Sequence, residues 1–428
     1  PLLSALTPLF RCLHEPDFVQ QHRTKTTAFT RLRKLSFPIL VAFFLNQAKG
    51  ALQREIDDLF TRALGLTPDL SVSAAAVSRA RQFLKPSVFE ALNARLLTLI
   101  ADMLPGNRWL GLRVMAVDSS VLNLPKTGSM FHAFSGQRMA KTQNGLMLPM
   151  ARFSQLYDID SGLTWHAIVQ PNSCSETVAA AGHLAHSPAN ALILYDRGYP
   201  GYALIAQHFQ LQRHFCMRVS RGFSPETDPL FNADQRSRII RLKPNRDAKR
   251  WCKKHNMAVN RLTLRAVPVL LNTGEVEVLL TSLLDCEQIP DADFGELYAL
   301  RWGVEGDFRH LKSRLQLENW TGKRIECIAQ DVHARVLAKN LSTVLILVAQ
   351  AQLDAERAQK IADQLPVSKH RAKVNATAAL HLCKFALVAF LLRPTPQVLQ
   401  SLVDRIVSNT HAQRPGRAYK RKHTKGKS

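Results

Sequence analysis

The stretch YALRWGVEGDFRHLK, from Tyr298 to Lys312, decides how this chain is read. Its apolar residues recur at helical spacing, yet Gly303 and Gly306 lie inside it. Each glycine costs about 1 kcal/mol against alanine in a helix interior. At about 100° per residue, Leu297, Leu300, Val304, Phe308, Leu311 and Leu315 share one arc. That stripe predicts one continuous helix docked on a core. Tyr298, Arg301, Glu305 and Lys312 fall in an adjoining arc about 60° wide, and Gly303, Asp307, His310 and Arg314 fall on the outer face. A solvated Arg301–Glu305 pair at i,i+4 is worth only a few tenths of a kcal/mol and accounts for those two residues alone. Four such side chains beside the apolar stripe predict a helix that presents Glu305 at the edge of a core.

Two more acids follow apolar runs. Asp118 closes LRVMAVD and Asp196 closes ALILYD. Both are expected at strand ends, where α/β sheets build sites. A bare buried carboxylate costs several kcal/mol, so such acids must be solvated, paired or metal-bound. After Asp196, the turn Arg197-Gly198-Tyr199-Pro200-Gly201 lets the backbone swing away from the carboxylate. Three converging carboxylates suit Mg²⁺, which prefers oxygen ligands, and a pair of ions can serve both oxygens of a phosphodiester displacement. No comparable set exists among the seven scattered cysteines, and His183-x-x-His186 is expected to be an ordinary pair of helix-surface histidines.

Composition points the same way. Lys and Arg total 57 against 33 Asp and Glu, a net charge of +24 over 428 residues, which favours a polyanionic partner. A hydrophobic share of 46% predicts a globular chain. The apolar runs at 37–45 and 385–392 are far shorter than the roughly 20 residues a membrane helix needs. With no basic start to a leader in PLLSALTPLF, the expectation is a cytoplasmic, nucleoid-associated protein with no membrane partner.

Along the chain, residues 1–110 read as helices, with Ser36 a possible N-cap before Pro38 and with Arg79 and Arg81 as candidate DNA contacts. Residues 111–221 read as a mixed α/β sheet with an antiparallel start: strands at 112–118, 151–158, 164–170, 191–196 and 214–220, and helices at 176–184 and 202–209. Residues 222–285 read as a basic, strand-rich insertion. Nine Lys or Arg and one acid lie between Arg236 and Lys254, and a hairpin is expected around Asn272-Thr273-Gly274. Arg236, Arg238, Trp251 and Lys253 are candidate DNA contacts there. Residues 286–350 carry the Glu305 helix, and 351–428 are helical with a basic tail, RPGRAYKRKHTKGKS, suited to phosphates.

Tyr298, Arg301, Glu305 and Lys312 stand in the pattern Y-x2-R-x3-E-x6-K, after AVDSSVLNLP with Asp118 and YDRGYPGYALI with Asp196. In these motifs the chain resembles bacterial insertion-sequence transposases of the DDE class, in the cut-and-paste group with that signature. The resemblance implies a ribonuclease-H-like core with a β-rich insertion, flanked by helical N- and C-terminal regions. It implies Asp118, Asp196 and Glu305 as catalytic metal ligands for two Mg²⁺ ions, with Mn²⁺ as substitute. It further implies Tyr298, Arg301 and Lys312 as phosphate contacts, to which Arg197 is added by its place beside Asp196. The implied partners are double-stranded DNA, both element ends with inverted repeats and target DNA, bound by a homodimer. Cleavage would free a 3′-OH for strand transfer. A catalytically inactive DNA-binding remnant and another ribonuclease-H-like nuclease remain alternatives at this point.

Overall fold

The computed structural model describes residues 2–414 except 32, 47–49, 68–70, 105–108, 135–136, 139–146, 233–234 and 393. Besides a short antiparallel pair formed by Ala372–Val374 and Thr410–Ala412, the strands among the described residues are β1 (Arg113–Asn123), β2 (Gln137–Arg138), β3 (Met147–Leu148), β4 (Met150–Asp158), β5 (Thr164–Pro171), β6 (Ala191–Tyr195), β7 (His214–Val219), β8 (Arg238–Leu242), β9 (Leu262–Leu270) and β10 (Val276–Thr281). Strands β2 and β3 pair with each other; the rest form one sheet in the order β5-β4-β1-β6-β7-β10-β9-β8. β4 runs antiparallel to β1 and β5, whereas β1, β6 and β7 are parallel. This first half is the expected ribonuclease-H-like core. β6, the sequence ALILY, is buried throughout, as a parallel strand covered on both faces must be.

The insertion does not fold apart from the core. β10 pairs antiparallel with β7, and β9 and β8 follow, so its strands lengthen the central sheet. The expected hairpin is β9–β10, and Gly274 supplies the positive φ of +84° that its turn needs. The basic segment before it is strand β8 followed by a helix, Arg246–Lys254.

Asp118 departs from expectation. It lies inside the 11-residue β1 rather than at its end. The parallel pairing with β6 stops at Ala116–Leu194, while the antiparallel pairing with β4 continues to Asn123. Beyond Ala116, β1 therefore loses its neighbour on one side, and Asp118 sits just past that point.

The Glu305 stretch is also not one helix. Asp293–Ala299 and Trp302–Arg309 are separate helices, followed by a π-helical turn at His310–Arg314. At the junction the N–H groups of Leu300, Arg301, Gly303 and Val304 bond to carbonyls three residues back. Each tighter step turns the chain further than 100°, so the helical wheel drifts. Leu300 swings out to 40% exposure, and Asp307, expected outside, is 6% exposed. Asp307 Oδ1 meets Lys339 Nζ at 2.9 Å, joining this helix to the long helix Ile325–Ala362.

That long helix is the structure's second axis. Among the described residues it is the one helix long and apolar enough to cross a membrane, and about half of that window is buried in the fold. Helices from both ends of the chain share a single core around it: Phe10, Phe43 and Phe89 from the N-terminal part pack with Leu341, Val344, Phe390 and Leu402. Ser36 holds the N-cap position of Phe37–Leu45 without a side-chain bond. Arg81, expected at DNA, is 3% exposed and belongs to this core. It pairs with Asp331 at 3.1 Å, donates to Gln330 and lies 4.6 Å over the Phe44 ring. A buried cation needs such partners, so Arg81 is structural. Of the basic tail, only Arg414 lies within the described residues.

His183 is likewise buried rather than on the surface. It bonds Ser154 at 3.0 Å and His166 at 2.9 Å, and the His166 ring stacks on His186. Burial pushes the His166 pKa down to about 3 and His183 down as well, so both are neutral in the fold.

Removing one member of the Asp307–Lys339 pair strands the other charge, a loss of about 3–5 kcal/mol. Urea unfolding of Asp307→Ala should show that loss. The double replacement Asp307→Leu/Lys339→Met should recover most of it. Equal stability of Asp307→Ala and wild type would remove the pair as the anchor of this helix.

Candidate active site

Asp118, Asp196 and Glu305 come from β1, the turn after β6 and the Trp302–Arg309 helix. They interact: Glu305 and Asp196 both raise the pKa of Asp118. Burial is the larger cause, and together they push Asp118 up to about 6, against the pull of the Ser119 N–H and Arg301. Two guanidinium groups stand among these acids. Arg301, 3% exposed, pairs with Glu305 at 3.0 Å and with Asp118 at 3.8 Å. Arg218, on β7, lies 2.9 Å from Asp196 and also pairs with Glu277 on β10. The Arg218–Asp196 contact is an ion pair by distance only, because Asp196 Oδ1 has no hydrogen-bond partner among the described residues.

A frame of hydrogen bonds fixes the segments that carry the acids. The Tyr298 hydroxyl donates to the Tyr195 carbonyl at 3.2 Å, immediately before Asp196. Lys312 Nζ donates to the Val121 carbonyl at 2.6 Å, three residues past Asp118. Ser119 and Tyr199 join hydroxyls at 3.2 Å, linking the neighbours of the first two acids. Ser154 donates to the Asp118 carbonyl at 3.4 Å and connects it to His183.

The sequence-predicted residues therefore divide. Tyr298 and Arg301 are brought to the acids but are buried, and their polar ends are committed inside the protein. The Tyr298 hydroxyl is held by the Tyr195 carbonyl, and Arg301 is held between Glu305 and Asp118. Arg197 is exposed beside Asp196. Arg236, Arg238 and Lys253 are exposed on the insertion, and Trp251 is half-buried, stacked on His255 at 4.3 Å. Arg79 lines a groove of about 810 Å³ with Lys25, Arg31, Arg33 and Lys34. Among the described residues no acid lines that groove, and none of these five cations has an ion pair.

Sequence reading missed Arg218, Glu277, Tyr199 and the groove. Arg218 had a signal: it is the charged residue of an otherwise apolar strand, HFCMRV, the same anomaly that marked Asp118. It also missed Trp302, which is 60% exposed and lies 4.7 Å under the Arg301 guanidinium. Neither glycine is required by packing. A Cβ at Gly306 would meet nothing within 4 Å, and one at Gly303 only Tyr157 and Ile159 at 3.8 and 3.9 Å.

Among the described residues, no three His, Cys, Asp or Glu side chains form a ready-made metal cage. The acids still fit a divalent cation. Their donors are all oxygen, one of them lacks a hydrogen bond, and mutual repulsion and burial oppose the ionised state of Asp118. A cation would relieve both.

Residues 109–341 match the family model of the transposase DDE domain, which is more than half of the chain. The chain is 25% identical over 339 residues to the transposase InsG for insertion sequence element IS4 of Escherichia coli (strain K12), covering 76% of this chain and 74% of that protein. A solved piggyBac transposase, in a synaptic complex with hairpin DNA, aligns at 12% identity with a TM-score of 0.45, covering 96% of this chain and 86% of that one.

The Tyr298 bond gives a direct test. Tyr298→Phe should lower stability by about 1 kcal/mol, because it strands a carbonyl, and leave duplex-DNA affinity unchanged. Lost DNA affinity at unchanged stability would restore the phosphate contact that the sequence pattern implied.

Proposed function

The chain belongs to the DDE transposase family, as a divalent-metal-dependent polynucleotidyl transferase of DNA transposition, and from that premise we propose that Asp118, Asp196 and Glu305 form its catalytic site. The observation that carries this reading is the meeting of three acids from separate segments around two guanidinium groups, Arg301 between Glu305 and Asp118 and Arg218 beside Asp196. In this reading they hold two Mg²⁺ ions, for which Mn²⁺ can substitute. Divalent ions held by these carboxylates would supply activation of the attacking oxygen and neutralisation of charge on the scissile phosphate.

The chain's own residues prepare that chemistry. Arg301 bridges Glu305 and Asp118 and so sets the spacing of two acids. Tyr298 and Lys312 fix the strand segments beside Asp196 and Asp118. Arg197, exposed next to Asp196, offers a cation to the DNA backbone. The reaction frees a 3′-OH at an element end and joins it to target DNA, within a homodimer holding paired ends with inverted repeats. Residues 1–110 carry end recognition. Lys25, Arg31, Arg33, Lys34 and Arg79 provide a cluster of positive charge there, and the exposed cations of the insertion add to the track. The open space at Gly306 leaves room for DNA to pass close to the Glu305 helix.

Cleavage of DNA carrying the element ends, with Mg²⁺, tests the reading. Wild type should nick at the ends, and Glu305→Gln should fall to background while binding DNA as well or better, having lost a carboxylate that repels phosphate. Cutting by Glu305→Gln at the wild-type rate would remove Glu305 from the site. Wild type that binds ends without ever nicking them would contradict catalysis altogether.

The groove makes a separate prediction. Each phosphate contact adds roughly 0.9 to the slope of log affinity against log salt. Arg31→Ala/Arg33→Ala/Lys34→Ala should flatten that slope, whereas exposed Lys360→Ala/Lys369→Ala should not. Equal slopes in the two variants would place DNA elsewhere.

A further inference from the structure

Arg218 differs from Arg301 in one respect. Arg301 bridges two acids of the site, Asp118 and Glu305. Arg218 bridges one acid of the site, Asp196, and one outside it, Glu277. Glu277 comes from β10, and β10 lies against β7 in the sheet, with Leu279 opposite Arg218. Arg218 and Glu277 are largely withdrawn from solvent, at 23% and 19% exposure, whereas Asp196 is 35% exposed, so solvent screens the Glu277 contact less than the Asp196 one.

The two contacts of Arg218 are unequal. Arg218 hydrogen-bonds Glu277, whereas its approach to Asp196 leaves Asp196 Oδ1 without a hydrogen bond and Arg218 Nε without a partner among the described residues. An undirected ion pair is the easier one to exchange. A guanidinium beside Asp196 also competes with any cation for the same oxygens.

Resting on the catalytic reading above, we propose that Arg218 is a positioning residue that occupies Asp196 until a divalent cation displaces it, and that Glu277 is the acceptor that then retains it. Glu277 thereby sets the cation affinity of a site it does not touch, and the insertion is wired to the catalytic core through one side chain. No bond is made or broken in this exchange; one ion pair replaces another.

Mn²⁺ titration of full-length, EDTA-treated protein by calorimetry tests it without reference to activity. Arg218→Gln removes the competitor and should tighten Mn²⁺ binding. Glu277→Gln leaves Arg218 with Asp196 alone and should weaken it. Plain long-range charge predicts the same two signs, so the double variant decides. If Glu277 acts only through Arg218, Glu277→Gln has no effect in the Arg218→Gln background, and the double binds Mn²⁺ as tightly as Arg218→Gln. A double variant that returns to the wild-type affinity means independent charges and overturns the proposal. So does weaker binding by Arg218→Gln. If Arg218→Gln alone fails to fold, the double leaves neither Arg218 nor Glu277 as an unpaired charge and carries the test by itself: tighter than wild type supports the exchange, and equal or weaker overturns it. Asp196→Asn separates the two levels. Unchanged Mn²⁺ affinity in that variant defeats the metal-site reading itself rather than the role of Arg218.

Discussion

Asp307 and Lys339 meet at 2.9 Å where neither charge could remain alone. Burial lowers the pKa of Lys339, and Asp307 is what opposes that loss of charge. The pair joins the Trp302–Arg309 helix to the long helix Ile325–Ala362 and holds the inward side of the shorter helix in place. Val304, Phe308 and Leu311 follow into the core, and Glu305, two residues before Asp307, is left at the core's edge beside Asp118. The long helix is itself held by helices from both ends of the chain. The placement of one carboxylate thus depends on packing contributed from the whole sequence.

The acids that result are balanced by guanidinium groups rather than spread apart. Arg301 and Arg218 supply two positive charges within ion-pair distance of three carboxylates. Such a cluster is compact and exchangeable at once. The contacts that are not ion pairs, the hydrogen bonds from Tyr298 to Tyr195 and from Lys312 to Val121, keep the backbone in place while charges rearrange. The insertion enters this balance because its last strand is a neighbour of β7 in the same sheet. A separate module could not have placed Glu277 against Arg218.

Much of this was legible in the sequence. Strand-like apolar and alternating runs located β4, β5, β6, β7 and the β9–β10 hairpin, and apolar runs closed by single acids marked Asp118 and Asp196. What failed depended on long-range geometry. Asp118 read as a strand end because its buried half stops there, although β1 continues with a partner on one side only. The helical wheel placed Leu300 inside and Asp307 outside because it assumed uniform turns, and the tight junction at Leu300–Arg301 broke that assumption. Arg81 read as a surface cation because its partners Gln330 and Asp331 lie some 250 residues away. Arg218 and Glu277 become a pair only through the alignment of β7 with β10.

The central claim is that Asp118, Asp196 and Glu305 form one cation site. Electron paramagnetic resonance of Mn²⁺ bound to the EDTA-treated protein, in wild type and in Asp118→Asn, Asp196→Asn and Glu305→Gln, tests it most directly. The account predicts that wild type broadens and depletes the free Mn²⁺ signal and that each single substitution weakens this binding. Mn²⁺ binding that survives all three substitutions unchanged would contradict it.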